Sequence, residues 1–147
     1  MNFVHLHLAI NHSPLYAELF AFLILLIGMI TRNRSVVNTA LIIAIFAAGF
    51  AWAADFSGDK AKDIIDHSAP IAGVDKTMIH EHELAANFVV ISASVAGFLA
   101  IVALFLRRGW MNFIVLLVIL WSLTVVGRTA LLGGRIHHPE VRDVIKG

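Results

Sequence analysis

Residues 79–106, IHEHELAANFVVISASVAGFLAIVALFL, decide how this chain is built. The stretch opens on His80, Glu81, His82 and Glu83 and then runs from 84 to 106 without a charge. At ~1.5 Å of rise per residue, a helix of that length crosses a ~30 Å hydrocarbon layer. A globular core has no use for so long an uncharged run, and a plain lipid-facing helix has none for the histidines and acids at its mouth.

Three further runs repeat the pattern. Residues 15–30 carry only Glu18, residues 36–54 carry no charge, and residues 110–132 carry only Arg128. Of the 147 residues, 59% are hydrophobic and 14% charged, against about 25% charged in an ordinary soluble domain. Mean hydropathy is +0.85. The expectation is an all-α protein, an integral membrane four-helix up-down bundle. It forms a single transmembrane domain over 1–147, with helices at about 14–31, 35–54, 79–106 and 109–133.

Local signals set the helix ends. Ser13 reads as an N-cap and Pro14 as the first helical residue, where its missing N–H costs nothing. The second helix is expected to stop at Asp55, leaving an outer loop at 55–78 with an amphipathic turn near Lys62–His67. Gly133 and Gly134 are expected to end the fourth. Residues 1–13 contain no Lys or Arg and no A-x-A site follows, so the first span reads as retained. The absence of cysteine rules out disulfides, thiolate metal sites and c-type haem. A net charge of +1 without a basic stripe argues against nucleic acid.

Orientation follows from the basic residues. Two tight turns carry Arg32, Arg34, Arg107 and Arg108 without an acid, and short basic turns read as cytoplasmic. Both termini and the long loop then lie outside, in a multi-pass protein of a bacterial inner membrane. On this topology all eight histidines fall on the outer side: His5, His7, His12, His67, His80, His82, His137 and His138.

Neutral imidazole ligates haem iron, copper, zinc and non-haem iron. A helix rotates ~100° per residue, so His80 and His82 cannot both face the bundle. Ala85 and Ala86, one turn on, leave room for a flat cofactor beside His82. His12, at the start of the first helix, and His138 are the other strong candidates, followed by His7. Isolated interfacial histidines are otherwise ordinary. Glu18 and Arg128 sit at one level within the membrane, where ions are costly without partners. They read either as an interhelical bridge or with Arg128 facing a cofactor or an anionic substrate.

The segments His7-Leu8-Ala9-Ile10-Asn11-His12-Ser13-Pro14, His82-Glu83-Leu84-Ala85-Ala86 and Gly133-Gly134-Arg135-Ile136-His137-His138-Pro139-Glu140 resemble those of one family. It comprises small bacterial four-helix membrane proteins classed as a domain of unknown function. Its pattern is H-x-x-x-N-H-x-P, H-E-x-A-A and G-G-x-I-R-H-P-E. The resemblance spans essentially the whole chain and marks His7, His12, His82 and His138 as recurring histidines, with His137 replacing the usual Arg. The layout is also similar to small di-haem cytochromes b, which implies haem b.

The leading expectation is a b-type membrane cytochrome with one or two haems at the outer side. His12 would pair with His82 across one porphyrin, with His7 and His138 as a second pair. Glu83 and Glu140 would orient the imidazoles, and Arg128 would face the cofactor. Electrons would pass between a quinol, or a membrane or outer-side redox partner protein, and an acceptor. A non-haem copper, zinc or iron site and a structural subunit without a cofactor are the alternatives. Apart from the lipid bilayer, partners stay open, a homo-oligomer among them. A di-iron carboxylate bundle is disfavoured because no Glu-x-x-His pair stands on any helix.

Overall fold

A computed structural model describes residues 2–67 and 76–137, and the described residues are helical without strands. Five helices follow in order: α1 (Phe3–Ile10), α2 (Ser13–Ile30), α3 (Arg34–Asp66), α4 (Lys76–Leu106) and α5 (Gly109–His137). Four spans, with α1 and α2 counted as one, are long and apolar enough to cross a membrane. They form an up-down bundle in which α2 packs on α3 and α5, and α4 on α3 and α5.

The helix ends depart from the sequence expectation in three places. An extra helix, α1, precedes α2, capped by Asn2 Oδ1 accepting from His5 N at 3.0 Å. Pro14 explains the break, because it has no N–H and its ring crowds the carbonyl four residues back. His12, not Ser13, is therefore the N-cap residue of α2. Helix α3 does not stop at Asp55 but runs to Asp66, and α5 passes through Gly133 and Gly134. Side-chain contacts along both extensions offset the weak helix propensity of these residues.

The core is rich in alanine, with a few larger apolar side chains among them. Ala21, Leu25, Ala40, Leu41, Ala44, Ala100, Val115 and Ile119 are each at most 2% exposed, so helix axes approach closely, as in membrane bundles. Large apolar side chains such as Phe20, Phe46, Phe88, Phe98 and Phe105 point outward. An outward apolar surface suits lipid rather than water.

The two halves repeat each other at an offset of 75 residues (82 less 7, 107 less 32, 133 less 58). Arg32 and Arg107 end α2 and α4 with φ of 52° and 53°. Buried residues match at the same offset: Ala21 with Ala96, Leu25 with Ala100, Ala40 with Val115, Leu41 with Leu116, Ala44 with Ile119, and Ala51 with Val126. Each half holds two spans, so both run in the same direction. The halves are then related by an axis along the bundle.

Candidate cofactor site

The repeat brings one histidine from each half to the same end of the bundle. His7 reaches from α1 to α3, where its Nδ1–H is shared between the Ala54 carbonyl at 3.0 Å and Ser57 Oγ at 3.2 Å. Ser57 Oγ–H itself donates to the Ala54 carbonyl at 2.8 Å, so its oxygen accepts from the imidazole. His82 reaches from α4 to α5, where Nδ1–H donates to the Thr129 carbonyl at 3.1 Å. A carbonyl cannot donate, so both rings carry their proton on Nδ1. In the neutral ring the coordinating lone pair is then on Nε2.

A glycine lies one turn beyond each accepting carbonyl, four residues on and on the same face. A Cβ at Gly58 would stand 3.1 Å from His7 Cε1, and one at Gly133 would stand 3.1 Å from His82 Cε1. Each imidazole therefore rests on bare backbone. The carbonyl acceptor lies 47 residues after the histidine in both halves. One anchoring device is used twice.

The two rings stand 6.4 Å apart between centroids, with their planes at 71°. The cavity beside them is lined by Val4, Leu8, Ala51, Ala86, Val126 and Ala130, with Asp55, Asp59, Lys62 and Glu83 also along its wall. Asn11 lines it too, and its buried Oδ1 has no hydrogen-bond partner.

Among the described residues, no group of three or more His, Cys, Asp or Glu gathers as a metal site. Protein zinc sites draw three or four ligands from the chain, whereas haem brings four in-plane nitrogens and asks for axial ligands only. Two imidazoles from different helices, beside a largely apolar cavity, could serve as such ligands.

Other candidates fall elsewhere. His12 is exposed at the N-cap of α2 and lines the cavity, whereas the ring that lies beside His82 is that of His7. His138 and Glu140 lie outside the described residues. Arg128 is exposed and forms no bridge to Glu18, whose Oε1 accepts instead from Ser122 Oγ at 2.7 Å. Glu83 pairs with Lys62 and lies 3.4 Å from His80 Nδ1. His5 and His67 are exposed, the latter bonding to the Asp63 carbonyl of its own helix. Trp52 donates to Ser94 Oγ at 3.0 Å, a link between α3 and α4.

The sequence reading gave Ala54, Ser57, Gly58, Thr129 and Gly133 no part in holding the histidines, taking Gly58 and Gly133 as helix ends. Their signal was available: His7, Gly58 and Arg32 recur at one interval as His82, Gly133 and Arg107. No protein-family model, curated protein or solved structure matches the chain.

Proposed function

We propose that this chain is a b-type membrane cytochrome that holds one haem between His7 and His82. It would carry single electrons between a quinol or a membrane partner and an acceptor at the histidine end of the bundle. The observation that carries the reading is the pair of carbonyl-anchored imidazoles, one from each half of the repeat, beside an apolar cavity. When bound, haem supplies reversible one-electron chemistry at its iron.

The chain's own residues do the rest. The Ala54 and Thr129 carbonyls fix the two imidazole tautomers and make each ring more basic at Nε2, as outer-shell acceptors do for metal-bound histidine. Gly58 and Gly133 let the rings sit flat on α3 and α5. Val4, Leu8, Ala51, Ala86 and Val126 exclude water, and burial of this kind tunes a redox potential. The acid-free arginine turns at the opposite end favour a histidine end on the outer face of a bacterial inner membrane. With histidines at one end only, the protein relays electrons along that face or hands them to a partner subunit.

The test is an optical spectrum of the purified protein, oxidised and then reduced with dithionite, with haem and metal analysis of the same sample. One haem per chain with a sharp reduced α-band of b type is expected. A flat spectrum with stoichiometric copper, zinc or iron would replace this reading with a non-haem site.

A further inference from the structure

The internal repeat exposes what does not obey it. Glu18 is 1% exposed within α2, and its Oε1 accepts from Ser122 Oγ at 2.7 Å. Ser122 and Ser92, both fully buried, join their hydroxyls at 2.8 Å. In the other half the positions equivalent to Glu18 and Ser122 are Ala93 and Ala47, and Ser92 corresponds to Ala17. Ala93 and Ala47 are as buried as their polar counterparts. The bundle therefore packs without these polar groups, and the triad is an asymmetric addition to a symmetric scaffold.

Its place is specific. Pro14, Val89 and Val126 line the cavity, and Glu18, Ser92 and Ser122 lie about one turn beneath them on the same three helices. Glu18 Oε2 is buried without a hydrogen-bond partner, and no cation bridges the carboxyl. A carboxylate in such a site answers to whatever charge appears nearby, because little water screens it. At its level α3 presents Ala47 and Ala51, α4 Ser92 and α5 Ser122. On α2 the neighbouring titratable side chains are Tyr16, which is 57% exposed, and His12, which is also exposed; Asp55 on α3, His82 on α4 and Arg128 on α5 stand nearer the histidine end.

Resting on the haem reading above, we infer that Glu18 is the proton site coupled to the electron held in the cavity. With haem held there, uptake of one electron from a one-electron reductant would add one negative charge to the site, and one proton from solvent would add to the Glu18 carboxylate, so that the net charge stays unchanged. Oxidation releases both. Ser122 and Ser92 hold the carboxyl in place in either state.

The experiment is a spectroelectrochemical titration of the wild-type holoprotein and Glu18→Gln at a series of pH values, with reduced-minus-oxidised infrared spectra. The wild-type midpoint is expected to fall with rising pH by up to about 59 mV per unit, the one-electron equivalent of a tenfold change. Reduction should add a carboxylic C=O band. Both effects should vanish in Glu18→Gln. Glu18→Ala, which copies the residue at the equivalent position of the other half, serves if the glutamine variant does not fold. A pH-independent wild-type midpoint, or a slope that survives in the variants, overturns the assignment while leaving the cytochrome intact. A preparation without haem overturns both.

Discussion

His7 and His82 are mounted alike: each donates Nδ1–H to a helix carbonyl 47 residues further along the chain, and their rings stand 6.4 Å apart. Symmetry of mounting implies symmetry of consequence. A ligand held between them depends on both halves, and neither imidazole is a spare.

The glycines give the sharpest test of that mounting. A methyl group at Gly58 or Gly133 would meet an imidazole carbon at 3.1 Å, whereas one at Gly127 or Gly134 would meet nothing within 4 Å. Gly58→Ala and Gly133→Ala should each weaken haem retention about tenfold, ~1.4 kcal/mol, measured by transfer of haem to an acceptor protein. Gly127→Ala should retain haem fully and raise helix stability by ~0.5–1 kcal/mol.

Ser57 distinguishes the two ends of the pair. Its hydroxyl accepts from His7 at 3.2 Å, while the Ala54 carbonyl at 3.0 Å stays in place when it is removed. Ser57→Ala should cost ~1 kcal/mol in thermal stability and raise the midpoint potential slightly, because the ring loses one of its two acceptors and becomes less basic at Nε2. Potentiometry on the variant checks it.

Much of this fold was legible in the residues. The uncharged runs at 36–54 and 84–106 located two spans outright, because a charge at the bilayer centre is costly. The ends were not legible: Asp55 and Gly133 look like stop signals, yet α3 and α5 continue past them. What overrides them is tertiary, since Gly58 and Gly133 carry the imidazoles on those extensions. The closeness of His7 to His82 was not legible, because Pro14 breaks the helix between α1 and α2 and it is His7, not His12, that reaches α3. Comparing the chain with itself at a fixed interval would have paired His7 with His82 directly.

The arginine turns carry a removable cost. Arg32 and Arg107 adopt φ of 52° and 53°, a region that disfavours a Cβ by ~1 kcal/mol and that glycine enters freely. Arg32→Gly and Arg107→Gly should therefore each stabilise the bundle by about 1 kcal/mol. Thermal unfolding in detergent should show similar gains for both, because the two turns are equivalent.

Lys62 and Glu83 close the cavity wall between α3 and α4, with side chains 34% and 32% exposed. A pair so open to solvent contributes little, because water and salt screen it. Lys62→Met should lower stability only slightly, and the loss should shrink in high salt. Thermal scans at two ionic strengths decide it.

The most direct measurement compares wild-type protein with His7→Ala, His82→Ala and His12→Ala, all purified alike and read by haem content and reduced α-band. Loss or conversion of the low-spin spectrum is predicted in His7→Ala and His82→Ala to equal degree, with His12→Ala indistinguishable from wild type. A variant series in which His12→Ala loses the spectrum and His7→Ala keeps it would contradict the pairing of His7 with His82.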